Sequence, residues 1–129
     1  MILLLDSSTP VCKILWSDGG GKLTETEWRA DRELADNLIG YLRQQLSERG
    51  ISWDGISGIG IYRGPGSFTG LRIGHTVMNT IADDKGIPIV GTTGERWVSD
   101  AIERLSSGDN DNLVMPFYGR EANITKPRK

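Results

Sequence analysis

A single α/β domain built on a mixed β-sheet is the fold class this sequence predicts, and three observations predict it. The 129 residues are the size of one domain, with no linker or internal repeat dividing them. Apolar patterning switches between strand-like and helical periods in the order β-β-β-α-β-α-β-α, with a possible final strand. The strand–helix–strand unit from Ile56 to Val90 calls for parallel pairing by a right-handed crossover, whereas the opening strands are joined by a short turn and pair antiparallel.

The elements follow in order. Ile2 to Leu5 is a continuous apolar run, the mark of a strand buried on both faces. Val11 to Ser17 is a second strand, on which Cys12, Ile14 and Trp16 share one face and place the thiol in the core. The turn Asp18-Gly19-Gly20-Gly21 leads to a third strand from Lys22 to Trp28. From Glu33 to Arg49 the period becomes helical, with Leu34, Ala35, Leu38, Ile39, Leu42 and Leu46 in one stripe and Gly50 as the stop. Ile56, Ile59 and Ile61 mark the fourth strand. A glycine-rich turn then opens a helix from about Thr69 to Lys85, closed by Gly86. Ile87 to Val90 is a fifth strand, in which Pro88 argues for an edge or a strand start. A short helix over 95–105, the loop Ser106 to Asn112 and a last strand at Leu113 to Phe117 complete the reading.

Composition excludes several classes. Leu, Ile, Val and Phe make up about a quarter of the chain, too many for a disordered or collagen-like protein. No apolar run approaches the ~18 residues a membrane-spanning helix needs. The amino-terminal MILLLDSS lacks a basic region and a cleavage site, which argues against a signal peptide. One cysteine and one histidine allow neither a disulfide nor a metal site, and these features together favour a soluble, cytoplasmic protein. With 15 Lys and Arg against 17 Asp and Glu, the surface lacks the cationic excess that holds nucleic acid. The exception is residues 120–129, where Arg120, Lys126, Arg128 and Lys129 outweigh Glu121.

The least ordinary segment is Arg63-Gly64-Pro65-Gly66-Ser67-Phe68-Thr69-Gly70-Leu71-Arg72-Ile73-Gly74. It joins a strand to a helix N-terminus, where Ser67 or Thr69 can cap the helix and the free N–H groups can meet an anion. It lacks the lysine of a nucleotide-binding P-loop. Gly70 and Gly74 stand four apart on one helical face and leave a smooth groove, for close packing inside the chain or against a partner. Ser67 and His75 lie about two turns apart along the helix, which is too far for a nucleophile and its base.

This segment resembles the signature of the TsaB (YeaZ) family, subunits of the bacterial system that makes threonylcarbamoyladenosine on tRNA. Ile2-Leu3-Leu4-Leu5-Asp6-Ser7-Ser8-Thr9, Arg29-Ala30-Asp31-Arg32 and Ile87-Pro88-Ile89-Val90-Gly91 are similar to other family segments, so the resemblance runs from Met1 to about Arg104. It implies a ribonuclease-H-like lobe of the actin, sugar kinase and heat-shock chaperone superfamily, here residues 1–112, with a five-stranded mixed sheet and flanking helices. Residues 113–129 then form a possible last strand and a basic tail, the family's second lobe being largely missing. In the family a lysine and a small residue often stand where this chain has Asn79 and Thr80.

The function implied by the resemblance is a non-catalytic subunit, without cofactor or metal, that pairs with the catalytic homologue TsaD or with itself. A TsaE-like ATPase and tRNA are reached through the complex. The motif loop is Arg63 to Arg72, and the expected partner surface comprises Leu38, Leu42, Gly70, Leu71, Gly74, Met78 and Ile81. Asp6 occupies the position where related ATPases hold a metal-bound nucleotide, yet no glycine follows it to admit phosphates. A bland role for Asp6 is to bond turn amides. Two alternatives stay open: a small nucleotide-binding phosphotransferase resting on Asp6 and the Gly64 to Gly70 loop, and a degenerate lobe that only self-associates.

Overall fold

Strand β1 (Ile2–Asp6) runs through the middle of a five-stranded sheet of order β3-β2-β1-β4-β5. The computed structural model describes residues 1–30 and 33–118. Strands β2 (Val11–Ser17) and β3 (Leu23–Arg29) pair antiparallel on one side of β1, with Leu4 opposite Leu15 and Ile14 opposite Thr26. Strands β4 (Gly58–Tyr62) and β5 (Ile89–Thr92) pair parallel on the other, with Leu4 opposite Gly60 and Gly60 opposite Val90. The mixed sheet expected from the element order is the one observed.

Helices α1 (Leu34–Arg49) and α2 (Phe68–Lys85) cover one face and α3 (Trp97–Ser106) covers part of the other. Period-two alternation decides which side chain serves which layer. Leu3, Leu5, Cys12, Ile14, Trp16, Ile59 and Ile61 meet Leu34, Leu38, Leu42 and Leu46 of α1 and Met78 and Ala82 of α2. Ile2, Leu4, Leu15 and Val90 meet Ala101 of α3. Burial of Cys12 beside Ile14 and Trp16 is as expected; it pushes the thiol pKa up to about 12, aided by the charge of Asp6, so the group is a small hydrophobe. The alternation also explains the sequence Gly58-Ile59-Gly60-Ile61. Both glycines face α3, where a Cβ at Gly60 would lie 2.9 Å from the Ala101 methyl and one at Gly58 2.9 Å from Leu105.

Helix ends follow local chemistry. Gly50 and Gly86 adopt left-handed conformations at φ 70° and 68° and return their N–H groups to the last turns of α1 and α2. Ser67 is the N-cap of α2, accepting from the Gly70 N–H at 3.3 Å, so Thr69 is not the cap.

Element boundaries move by one or two residues, and one expected strand is absent. Ile56 precedes β4, because Trp53–Gly55 forms a turn of 3₁₀ helix. β5 begins at Ile89 rather than Ile87, since Pro88 has no N–H to give the ladder. Leu113 to Phe117 is not a strand of the sheet. Mostly side chains hold it: the Asn79 amide donates to Val114 O and accepts from Val114 N, both at 2.9 Å, and Arg63 Nε donates to Met115 O at 2.8 Å; one backbone bond, from Phe117 N to Arg63 O at 2.8 Å, is added. The basic tail over 120–129 and the residues Asp31 and Arg32 lie outside the described residues.

Gly40 supplies a stability test. It sits inside α1, exposed, with nothing within 4 Å of where a Cβ would be. Gly40→Ala is expected to stabilise the chain by about 0.5–1 kcal/mol, the helical cost of glycine, measured by urea unfolding. An equal or lower unfolding free energy would show that α1 is not helical through this position.

Candidate functional site

The motif loop is built against the end of β1. Asp6 Oδ1 accepts from the Ser8 N–H at 2.9 Å and the Ser8 hydroxyl at 2.6 Å, which closes a tight turn. On the far side of that turn, Ser8 O accepts from Ser67 N at 2.7 Å and the Ser7 hydroxyl donates to Gly70 O at 2.8 Å. Gly66, Gly70 and Gly74 form a stripe on which the turn lies. A Cβ on any of the three would overlap Ser8 or Ser7, and one on Gly74 would also lie 3.2 Å from Leu5 Cδ2. Gly64, at φ 122°, is buried under Phe117 and Leu71 and begins a cis peptide bond to Pro65. Pro65 O accepts from the Tyr62 hydroxyl at 3.2 Å. Phe68, 55 % exposed, packs against Tyr118 with the rings tilted by 35° and lies under the Arg72 guanidinium.

This geometry corrects the expected partner surface. Leu38, Leu42, Leu71 and Met78 are fully buried within the monomer. Gly70 and Gly74 offer no open groove, because Ser7 already fills it. Ile81 is half-buried against the main core. Of the α1 stripe, Leu34, Leu38, Leu42 and Leu46 are spent on the sheet, while Ala35 and Ile39 stay exposed. What the two helices leave to solvent is a different set: Ala35, Thr69, Arg72, Ile73, Thr76 and Val77 line a shallow groove of about 360 Å³ between α1 and α2. Ile39 of α1 is a further exposed apolar residue, at 45 %.

The family model for TsaD, tRNA N6-adenosine threonylcarbamoyltransferase, matches residues 28–94, which span α1, β4, the motif loop, α2 and β5. The chain belongs to this family. Its relatives place it with the TsaB (YeaZ) members. It is 31 % identical over 93 residues to the tRNA threonylcarbamoyladenosine biosynthesis protein TsaB of Escherichia coli K12, covering 71 % of this chain and 39 % of that protein. It is 26 % identical over 109 residues to TsaB of Haemophilus influenzae, covering 84 % and 46 %. YeaZ from Pseudomonas aeruginosa superposes with a TM-score of 0.66 at 26 % identity, over 82 % of this chain and 49 % of that one. The chain therefore spans less than half the length of these relatives. The lobe has the ribonuclease-H-like fold that the TsaB resemblance implied.

Within this TsaB-type lobe the polar residues around the motif are occupied structurally. Asp6 bonds the Ser8 amide, the bland role open to it from sequence. The Ser67 hydroxyl caps α2, and His75 Nδ1 lies 2.7 Å from Leu71 O, to which it donates. His75 is 3 % exposed, and its Nε2 is buried without a partner. Among the described residues no three His, Cys, Asp or Glu side chains converge as metal ligands, and no helix is long and apolar enough to cross a membrane.

Two arrangements escaped the sequence reading. One is the Asn79 clamp on Val114, at a position where the sequence showed only a departure from the family pattern. The other is Arg104, bound to Asp109 at 2.6 Å and to both carboxylate oxygens of Asp111, within a loop read only as a connection. Arginine followed by Asp-Asn-Asp at this spacing is a usable signal only once the neighbouring edge strand is known.

His75 makes the lobe acid-sensitive. Burial lowers its pKa below the ordinary 6.5; the bond to Leu71 opposes this, and the charge of Arg63 adds to it. The folded chain therefore binds fewer protons than the unfolded chain once pH falls below about 6.5, so unfolding free energy declines from there down to the lowered folded pKa. His75 is the sole histidine, so His75→Gln is expected to flatten the stability profile between about pH 7 and 5, read by urea unfolding. An unchanged slope in the variant would place the ring's charge in solvent.

Proposed function

We propose that this chain is a non-catalytic TsaB-like subunit that pairs with a TsaD-like homologue in making threonylcarbamoyladenosine on tRNA. The carrying observation is the exposed α1–α2 face, where Ile39, Ala35, Ile73 and Val77 offer apolar surface beside the polar Thr69, Thr76 and Arg72. Exposed Ala35 and Ile39, with the solvent-facing parts of half-buried Ile73 and Val77, gather apolar surface between two helices, which suits a partner's helices. The likeness to both TsaD and TsaB supports a TsaD-like homologue as that partner.

A supporting role rather than catalysis fits the occupied polar groups. The Asp6 carboxylate is turned onto Ser8, and the backbone of the motif loop is packed against Ser7 and Ser8, which leaves no cradle for phosphates there. This weighs against the phosphotransferase alternative. In this reading a TsaE-like ATPase and tRNA are engaged through the complex, in the cytoplasm, and the chain brings no cofactor of its own.

Ile39→Arg with Thr76→Arg tests the surface, since both side chains are exposed and the fold tolerates their replacement. Circular dichroism is expected to be unchanged while affinity for the purified TsaD-like protein falls at least about tenfold in sedimentation, from two charges buried at an apolar contact. Undiminished association would remove this face from the interface. Loss of self-association with no effect on the TsaD-like protein would favour the self-associating alternative.

A further inference from the structure

The two edges of the sheet are protected in different ways. β3 carries exposed Glu25, Glu27 and Arg29, charges that oppose pairing with another strand. β5 reads Ile-Val-Gly-Thr and has no charge. In a strand paired on one side, alternate residues turn their backbone groups outward, and in β5 these are Ile89 and Gly91. All four of their outward groups are taken. Ile89 N donates to Asn110 Oδ1 at 3.1 Å, and Ile89 O accepts from Asp111 N at 2.8 Å. Gly91 N donates to Asp111 Oδ2 at 3.0 Å, and Gly91 O accepts from Arg104 Nη1 at 3.1 Å.

Only one of these four partners is a backbone group of the loop; the other three are side chains. The loop is therefore not a sixth strand but a plug with the hydrogen-bonding pattern of one. Arg104 fixes it by gripping Asp109 and Asp111, while Asn110 Oδ1 also accepts from Asn112 N at 2.9 Å. Burial pushes the Asp111 carboxyl up, but Arg104 and the Gly91 amide outweigh that and hold it below the usual range, so it is charged at neutral pH.

We propose that the Asp109–Asn112 plug is an autoinhibitory contact that keeps β5 from pairing with β5 of a second copy of this chain. The strand it hides is uncharged, begins with the buried apolar residues Ile89 and Val90 and follows buried Ile87, which suits antiparallel pairing about a two-fold axis. Such pairing joins two sheets through backbone bonds that need no sequence match.

The test uses the full chain carrying Ile39→Arg and Thr76→Arg, so that association through the helix face, which belongs to the proposed TsaB-like role, is not read. Adding Asn110→Ala and Asp111→Ala is expected to tighten self-association at least about tenfold in sedimentation velocity. In hydrogen exchange the Ile89 and Gly91 amides should exchange at least about tenfold faster than in the parent at low concentration, and slow again as concentration rises. Folded variants that stay monomeric, or amides whose exchange ignores concentration, would overturn the proposal. Should the double alanine variant fail to fold, Asp111→Asn keeps an acceptor for the Gly91 N–H while losing the ion pair with Arg104. It is expected to shift both readouts in the same direction, and a folded, monomeric Asp111→Asn chain with parental exchange at Gly91 would overturn the proposal.

Discussion

The contact between the Ser7–Ser8 turn and the glycine stripe of α2 is the constraint on which the lobe's arrangement depends. β1 is central, so whatever its C-terminal turn touches is placed relative to the whole sheet. α2 can reach that turn only because Gly66, Gly70 and Gly74 present no side chain to it. Two glycines inside a helix cost about 1 kcal/mol each, and the Ser7 hydroxyl bond and the close packing offset that cost. Fixing α2 in turn sets the α1–α2 groove, the cap at Ser67 and the position from which Asn79 reaches Val114.

The same contact changes what the motif signifies. A glycine-rich strand-to-helix turn suggests a ligand cradle, and two glycines four residues apart suggest a docking groove. Here the turn at the end of β1 fills both roles from within the chain. The apolar surface that remains between the two helices is the ridge beside the stripe, where Ile73 and Val77 stand on α2 and Ala35 and Ile39 on α1.

Much of the fold was legible because its signals are local. The apolar run Ile2–Leu5, the Leu34-Leu38-Leu42-Leu46 stripe and the stops at Gly50 and Gly86 each follow from a short stretch of sequence. The site was less legible because its determinants are non-local. Periodicity showed that Leu38, Leu42, Leu71 and Met78 are apolar on helical faces, but not that the monomer would bury all four. Gly74 meets Ser7 from 67 positions away, and Asn79 meets Val114 from 35. Leu113 to Phe117 has strand-like composition, yet β5 is already closed at its outer edge by Asn110, Asp111 and Arg104, so no ladder position is free for it.

A double-mutant cycle between Ser7 and Gly74 tests the central contact most directly. Gly74→Ala alone places a Cβ against the Ser7 side chain and is expected to cost about 1–3 kcal/mol, the range for overpacking. Ser7→Gly alone loses the bond to Gly70 O and is expected to cost about 1 kcal/mol. In the double variant the added methyl occupies the space the serine leaves, so unfolding free energy should recover by at least about 1 kcal/mol relative to the sum of the two singles. Strict additivity would contradict the account, because it would mean that the turn and the glycine stripe do not meet.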